Sequence, residues 1–266
     1  MKISIIGCAG RMGRALINEV ISNKNTELAG GLEHSESIYL GKDLGMLAGR
    51  DPVGILVSDK ISKVLSKADA VINFTTPDAT IDVARIAAEK SKIQVIGTTG
   101  LSDKQKSELK NLAKKSVIVH AHNMSVGVNL LLALVKDVAS KLPADQFDIE
   151  IVEMHHNRKI DAPSGTALSL GEAAANGRGV KLSKVACKSR DGNIGARKPG
   201  EIGFATLRGG GVVGDHTVIF ASEHERVEIT HKAQDRSVFA SGAVRAALWA
   251  KGKKPGLYSM SNVLGL

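Results

Sequence analysis

The middle of the chain carries a dense run of side chains that donate protons and positive charge. His155 and His156 are followed by Lys159, and residues 163–166 (Pro-Ser-Gly-Thr) have the composition of a helix start. A histidine donates a proton near neutral pH, and N–H groups at a helix N-terminus hold carboxylates. A polar surface loop is the alternative explanation, but so many donors together favour a site that binds and protonates an anion.

The histidine pair is not expected to bind a metal. No cysteine or third histidine stands at a metal-ligand spacing from His155 and His156. Adjacent side chains of a strand point to opposite faces, so one metal ion would seldom reach both rings. We expect no metal site.

A glycine-rich segment at the start of the chain is typical of a dinucleotide-binding turn. Residues 7–13 read GCAGRMG, a G-x-x-G-x-x-G variant of the G-x-G-x-x-G pattern, and they follow a short apolar run. Glycines let the backbone turn sharply and bring a pyrophosphate to the next helix N-terminus. Glu33 stands 20 residues after Gly13, where an acid accepts hydrogen bonds from ribose hydroxyls. The glycines alone would be weak support, but strand, turn, helix and acid in register predict a nucleotide site.

A second small turn, residues 97–100 (Gly-Thr-Thr-Gly), follows the apolar run 94–96. Ligands of open parallel sheets bind beyond the carboxyl ends of the strands, so this turn could face a nicotinamide. An ordinary strand-to-helix turn explains the same residues, and on the turn alone that explanation is preferred.

Bulk composition narrows the function classes. The chain has 266 residues, a formal net charge of +9 and only 3% aromatic residues. So few aromatics argue against base stacking on nucleic acid, and an anionic substrate and cofactor explain the charge equally well. The two cysteines, Cys8 and Cys187, make no disulfide framework, and no apolar stretch reaches the length of a membrane span or a signal peptide. We expect a cytoplasmic protein with no nucleic-acid or membrane partner.

The first 125 residues alternate short strands with helices. Strands are expected at 3–6, 28–32, 70–74, 94–96 and 117–120. Helices are expected from the glycine segment to about Ser22, over 81–89, and from Ser102 and Asp103 onwards. This alternation predicts a parallel sheet that is covered on both faces.

The pattern changes after about residue 125. A long helix is expected over Val126–Lys141 and a last helix over 237–249. Strand-like stretches lie between them, and the strict alternation over 226–231 is typical of a largely antiparallel sheet with one covered face. Glycines 209–211 could cradle a phosphate, but a hairpin turn is the commoner cause and is the structure expected there. Residues 176–201 are expected to form a long mobile loop.

Together these motifs resemble the dihydrodipicolinate (4-hydroxy-tetrahydrodipicolinate) reductase family. The resemblance runs nearly end to end, and the stretch from His155 to Thr166 is very specific to the family. The matching segments are 7–13, 97–100, 123–127, 155–166, 202–205 and 213–217.

The resemblance implies an α/β fold with an N-terminal Rossmann parallel sheet and a second α+β domain on a mixed, largely antiparallel sheet. It implies a dinucleotide-binding domain over 1–125 that is completed by 235–266, and a substrate-binding and oligomerisation domain over 126–234. It also implies a homotetramer and NAD(P)H-dependent reduction of 4-hydroxy-tetrahydrodipicolinate, a small dicarboxylate, to tetrahydrodipicolinate in lysine and diaminopimelate biosynthesis.

The resemblance assigns roles to individual residues. His155 is the implied general acid, and Lys159 beside it is a proton donor or charge stabiliser. The implied substrate contacts are His156, Lys159, Gly165 and Thr166. The implied cofactor contacts are Gly7, Cys8, Ala9, Gly10, Arg11, Met12, Glu33, His34, Gly97, Thr98, Thr99, Ala121, His122, Asn123 and Met124.

One position departs from the family pattern. Many relatives carry an arginine after the ribose-binding acid, whereas this chain has His34 after Glu33. A neutral imidazole holds a 2′-phosphate less firmly than a guanidinium does, and Glu33 repels one. We therefore expect a preference for NADH, with NADPH still usable.

Two other functions are weighed against this one. A related Rossmann enzyme, an aspartate or semialdehyde dehydrogenase, needs in the semialdehyde case a nucleophilic cysteine, and Cys187 lies in a basic, loop-like region instead. An NADH-responsive repressor would need a DNA-reading helix-turn-helix, for which no segment is a candidate.

Overall fold

The structure, a computed structural model, describes residues 1–266. The chain divides into two compact units: unit 1 is Met1–Val126 with Arg236–Leu266, and unit 2 is Gly127–Asp235. Every helix falls short of the length and apolar character that crossing a membrane requires.

Unit 1 is built on a seven-stranded sheet in the order β12-β6-β5-β4-β1-β2-β3, and every pairing within it is parallel. Buried residues pack on both sides of the sheet, which confirms the predicted two-faced parallel sheet. The strands are β1 (Lys2–Ile6), β2 (Glu27–Leu32), β3 (Val57–Ser58), β4 (Ala70–Asn73), β5 (Ile93–Ile96), β6 (Val117–His120) and β12 (Gly256–Tyr258).

The helices of unit 1 begin where the sequence supplies start signals. Gly10 precedes the first helix, Pro77 opens the fourth, and Ser102 forms a capping box with Gln105 at the fifth. The helices are α1 (Arg11–Ser22), α2 (Leu44–Leu47), α3 (Ile61–Ser66), α4 (Pro77–Glu89), α5 (Asp103–Leu112), α9 (Ser237–Ala250) and α10 (Met260–Leu264).

The C-terminal segment completes unit 1. Buried alanines of α9 pack in the same core as α1, and β12 pairs with β6 at the sheet edge. The family resemblance implied that the C-terminus belongs to this unit, whereas hydrophobic periodicity gave no sign of it.

Unit 2 is a five-stranded mixed sheet in the order β11-β10-β7-β9-β8, with helices packed on one face. The strand β7 is central, antiparallel to β10 and parallel to β9. The elements are α6 (Val126–Lys141), β7 (Asp148–His155), α7 (Gly165–Gly177), α8 (Leu182–Val185), β8 (Ala186–Cys187), β9 (Ile202–Arg208), β10 (Gly214–Ala221) and β11 (Arg226–Ala233).

The hairpin predicted at glycines 209–211 is wrong. Strands β9 and β10 do not pair with each other, because β7 lies between them. The glycine segment instead crosses the end of β7, where the N–H of Gly209 donates to the carbonyl of His155 at 2.9 Å. Consecutive strands are most often neighbours, and here an earlier strand takes the middle position.

The long mobile loop predicted over 176–201 is also wrong in part. Helix α7 extends to Gly177, and α8 and β8 follow it. Two arginines hold the remaining stretch: Arg190 donates both Nη atoms to Glu150 at 2.8 Å, and Arg197 donates Nε to Glu150 at 3.0 Å. The basic composition of this stretch predicted that Arg190 and Arg197 belong to a loop. In the structure they form ion pairs with Glu150 of β7.

Candidate active site

The predicted cofactor residues of unit 1 lie after the carboxyl ends of four strands of one parallel sheet. The glycine turn follows β1, Glu33 and His34 follow β2, residues 97–99 follow β5, and residues 121–124 follow β6. The carboxyl ends of parallel strands point in the same direction, so the fold brings these segments together at that end of the sheet.

The glycine turn has the shape that a pyrophosphate needs. Gly7 has a φ of +75°, and a Cβ added to Gly13 would lie 2.2 Å from the carbonyl oxygen of Gly7. Gly10 precedes α1 and supplies no side chain to cap the first turn. The bare helix N-terminus and the close backbone fit a bound anion.

Glu33 is tied directly to this turn. The N–H of Ala9 donates to its Oε1 at 2.7 Å. A cavity of about 580 Å³ lies beside the pair. The residues that line it are Ile6, Gly7, Ala9, Gly10, Leu32, Glu33, His34, Ser37, Tyr39, Phe74, Thr75, Thr76, Ala79 and Val83. The segment after β4, Phe74 to Thr76, was not predicted to belong to this site.

Two predicted cofactor residues turn their side chains into the protein. Cys8 is buried, and burial raises the pKa of its thiol to about 12. The hydroxyl of Thr98 accepts from Thr80 at 2.7 Å and from the N–H of Thr75 at 3.1 Å. Both residues therefore offer a ligand their backbone rather than their side chains.

The segment after β6 is also shaped by internal contacts. The side chain of Asn123 accepts from the N–H of Ser125 at 2.9 Å. Met124 is buried against Gly242, and a Cβ added to Gly242 would clash with the carbonyl oxygen of Met124. His122 is exposed and lies 5.5 Å from the ring of His120.

In unit 2 the predicted proton donor lies at the end of β7. Period-2 alternation places Glu153 and His155 on the face of β7 that the helices cover. Their exposures are 1% and 8%, and Nδ1 of His155 lies 2.5 Å from Oε2 of Glu153. This contact orients the ring and directs Nε2 away from the carboxylate.

Glu153 is held ionised. Burial alone raises its pKa, but hydrogen bonds from Arg208, His155 and the N–H of Ser164 outweigh burial and lower the pKa below its ordinary value. Arg208 donates Nη1 and Nη2 to the two carboxylate oxygens at 2.9 and 3.0 Å. An ionised Glu153 accepts a hydrogen bond, so Nδ1 of His155 carries a proton.

Ser164 and His216 form the next layer. Ser164 caps α7 by accepting from the N–H of Ala167 at 3.1 Å, and its hydroxyl lies 3.1 Å from Nε2 of His216. The ring of His216 lies 5.0 Å from that of His155. Burial, together with the neighbouring His155, lowers the pKa of His216 to about 4, so this ring is neutral at physiological pH.

The predicted substrate residues lie in the segment that runs from the end of β7 into the first turn of α7. Ser164 is the N-cap, so the predicted helix start is confirmed, and Gly165 and Thr166 form its first turn. Lys159 pairs with Asp161 at 2.8 Å, and this contact lowers the pKa of Asp161 against the effect of burial. His156 follows directly after β7.

Three residues of this cluster had no predicted role: Glu153, Arg208 and His216. A signal was present for Glu153, because it stands two residues before His155 in a strand and so shares its face. No local pattern connects Arg208 or His216 with β7, because both lie on other strands.

Comparison with known proteins covers both units. The family model for the N-terminus of dihydrodipicolinate reductase matches residues 1–124, and the family model for its C-terminus matches residues 127–264. A 4-hydroxy-tetrahydrodipicolinate reductase of Rhodopseudomonas palustris (strain BisB18) is 54% identical, over 100% of this chain and 98% of the relative. A 4-hydroxy-tetrahydrodipicolinate reductase of Afipia carboxidovorans is 55% identical, over 100% of this chain and 97% of the relative.

A solved structure agrees with these matches. The dipicolinate-bound dihydrodipicolinate reductase from Paenisporosarcina sp. TG-14 superposes with a TM-score of 0.77 at 25% identity, over 97% of each chain. The fold, the two family models and the full-length relatives lead to one assignment. The chain belongs to the dihydrodipicolinate reductase family, the 4-hydroxy-tetrahydrodipicolinate reductases, which are oxidoreductases of lysine and diaminopimelate biosynthesis.

Proposed function

We propose that the chain reduces 4-hydroxy-tetrahydrodipicolinate to tetrahydrodipicolinate with a nicotinamide cofactor, and that His155 donates the proton. The observation that supports His155 is its contact with Glu153 at 2.5 Å. Because an ionised carboxylate occupies Nδ1, Nε2 is the atom that exchanges a proton with a substrate.

The glycine turn of unit 1 fits the cofactor. The N–H groups of Arg11 and Met12 at the start of α1 would hold the pyrophosphate, and Glu33 would accept from ribose hydroxyls. When bound, the dinucleotide supplies a hydride.

Unit 2 offers groups for a substrate with two carboxylates. Lys159 supplies a cation, and the N–H groups of Gly165 and Thr166 lie in the first turn of α7, where helices leave N–H groups without helical partners. His156 adds a further polar contact. The dipicolinate bound by the Paenisporosarcina relative is itself a dicarboxylate, which supports this choice.

Protons balance in the proposed reaction. Reduction adds a hydride and a proton to the substrate, and the hydroxylated form also releases water. His155 enters as the imidazolium and gives up the proton on Nε2, leaving the neutral ring with its Nδ1 proton shared with Glu153. The carboxylate therefore holds one tautomer of the ring after transfer.

The reaction is tested by following nicotinamide absorbance in mixtures of protein, NADH and the cyclic substrate. We expect the absorbance to fall only when all three are present. A signal that does not change with substrate, while NADH still binds, would instead favour a sensor. With NAD⁺ in place of NADH, and aspartate or an aldehyde in place of the cyclic substrate, a related dehydrogenase would raise the nicotinamide absorbance. We expect no such rise from this chain.

We propose a preference for NADH. Glu33 lines the cavity with exposed His34 beside it, where a 2′-phosphate would meet a carboxylate. Arg14 and Lys42 each lie over the Tyr39 ring, at 5.3 and 5.2 Å, and these cations keep NADPH usable.

Side-by-side kinetics test this preference. We expect a higher kcat/KM with NADH, and a shift towards NADPH in His34→Arg, because a guanidinium binds the phosphate in a bidentate manner. Equal or better kcat/KM with NADPH in the unaltered protein would overturn the preference.

We also propose the homotetramer and the role of unit 2 in assembly. The face of the β7–β9–β10 sheet opposite the helices carries Val152, Met154 and Ile219, and Leu207 is 48% exposed there. Such a face is suited to packing against another copy. Sedimentation should give a tetramer for the unaltered chain and a smaller species for Leu207→Lys. A monomer of the unaltered chain would contradict the assembly.

The cytoplasmic location stays a prediction.

A further inference from the structure

We propose that Glu153 and Arg208 act together as positioning residues that set the tautomer and the charge of His155. This inference rests on the proposed role of His155 as the proton donor. Neither residue had a predicted role, and neither is proposed to touch the substrate.

Hydrogen bonds hold the carboxylate of Glu153 in one orientation. Its Oε2 lies 2.5 Å from Nδ1 of His155 and accepts from Nη1 of Arg208 at 2.9 Å. Its Oε1 accepts from Nη2 of Arg208 at 3.0 Å and from the N–H of Ser164 at 3.0 Å. Four hydrogen bonds to a carboxylate that is 1% exposed fix its plane, and the plane fixes the imidazole.

The same two residues anchor the segment that carries the substrate groups. Nη2 of Arg208 also donates to the carbonyl of Asp161 at 2.6 Å, and Ser164 is the N-cap of α7. Glu153 thus connects three elements: the end of β7, the end of β9 and the start of α7. The proton donor and the helix N-terminus are positioned by one carboxylate.

Charges around His155 occur in balanced pairs. Glu153 faces Arg208, and Lys159 faces Asp161. Of the other rings on this face, His216 has a pKa lowered to about 4, and burial also lowers the pKa of His231, its cross-strand neighbour. His155 is the group whose charge changes during turnover, and removing one member of the Glu153–Arg208 pair leaves a charge of known sign beside it.

Two substitutions therefore have opposite expected effects. In Glu153→Gln the remaining Arg208 disfavours the imidazolium, so the alkaline limb of the kcat–pH profile moves to lower pH. In Arg208→Gln the unbalanced carboxylate favours the imidazolium, so the same limb moves to higher pH. We expect shifts of about one pH unit, with kcat lowered about tenfold or more in Glu153→Gln.

Glu150→Gln is the matched control. Glu150 lies on the same strand and is also bound by arginines, but it lies on the opposite face with no histidine. Its profile should keep the limb of the unaltered protein. Limbs that stay in place in both Glu153→Gln and Arg208→Gln, or that move in the same direction, would overturn the proposal and leave the pair a purely structural one.

An independent measurement uses the unaltered protein, in case a variant does not fold. Imidazole ¹⁵N shifts of His155, assigned by the signal missing in His155→Gln, should show the Nδ1–H tautomer once the ring is neutral. An Nε2–H tautomer would overturn the proposal. The two proposals fail separately: if His155→Ala keeps its turnover, the donor assignment fails, whereas an inactive His155→Ala with unshifted limbs refutes only the positioning role.

Discussion

Among the carboxylates that strand β7 presents to arginines, Glu150 and Glu153 lie on opposite faces of the sheet. Glu150 accepts from Arg190 and Arg197, whereas Glu153 accepts from Arg208. Both have a lowered pKa, because the arginine hydrogen bonds outweigh the effect of burial. The difference is the third partner: Glu150 holds a loop, but Glu153 holds His155 and the N-cap of α7. The same kind of arginine–carboxylate pair therefore supports a loop on one face and contacts the proposed proton donor on the other.

The largest expected effect comes from the histidine on the Glu153 face. His155→Ala should lower kcat by about 100- to 10,000-fold, because a positioned proton donor contributes that much. NADH binding, measured by fluorescence titration, should be nearly intact, since the glycine turn belongs to unit 1. The control is His224→Ala, whose side chain is 93% exposed between β10 and β11. Turnover of His155→Ala within a few-fold of the unaltered protein would show that another residue is the acid.

Lys159→Ala tests the cation of the same site. Removing a charged partner of the substrate should raise KM and lower kcat, with kcat/KM reduced about tenfold or more. Lys159→Arg keeps the charge and should recover part of the affinity. Unchanged KM and kcat in steady-state kinetics would remove Lys159 from the site.

A pair of glycine substitutions contrasts the two faces directly. A Cβ on Gly214 would lie 3.0 Å from Nε2 of His155, and a Cβ on Gly203 would lie 2.0 Å from Oε2 of Glu150. Gly214→Ala should lower kcat about tenfold by displacing the donor. Gly203→Ala should leave kcat unchanged and lower the free energy of unfolding by about 1–3 kcal/mol. Chemical denaturation and steady-state kinetics on both variants check this. A lowered kcat in Gly203→Ala together with an unchanged kcat in Gly214→Ala would contradict the different roles of the two faces.

The smallest effect is expected from Glu150→Gln. It leaves Arg190 and Arg197 short of an acceptor and should lower the free energy of unfolding by about 1–3 kcal/mol near neutral pH. A lowered folded-state pKa stabilises the protein above the ordinary Glu value of about 4.3, and this stability is lost as the pH falls through the folded-state pKa. Urea unfolding across the acidic range should therefore depend less on pH in Glu150→Gln. An equally steep dependence would show that Glu150 contributes little.

Local patterns predicted most of unit 1. The runs near β1, β2, β4, β5 and β6 are apolar and short, and their edges carry glycine, proline or capping residues. The small elements β3, β12, α2, α3 and α10 were not predicted, because two to six residues carry too little periodicity to identify. In unit 2, α6 was predicted from its first residue to its last, since it is one long apolar helix with Pro143 beyond its end.

Strand order in unit 2 could not be predicted in the same way. Glycines 209–211 suit a hairpin, and nothing in the sequence near them indicates that β7 inserts between β9 and β10. Similarly, Arg190 and Arg197 looked like loop residues, because their partner Glu150 stands 40 and 47 positions earlier in the chain.

The sequence by itself predicted the chemistry that we propose for this protein: a glycine turn with Glu33 for a dinucleotide, and the run from His155 to Thr166 for a proton and an anion. These motifs are local, so residue type and spacing suffice to identify them. Only the tertiary structure decided which groups control His155. Arg208 reaches Glu153 across 55 positions of sequence because β9 pairs beside β7, and His216 arrives from β10 on the other side. The proposed proton donor is encoded locally, whereas the orientation of its ring depends on strand pairing.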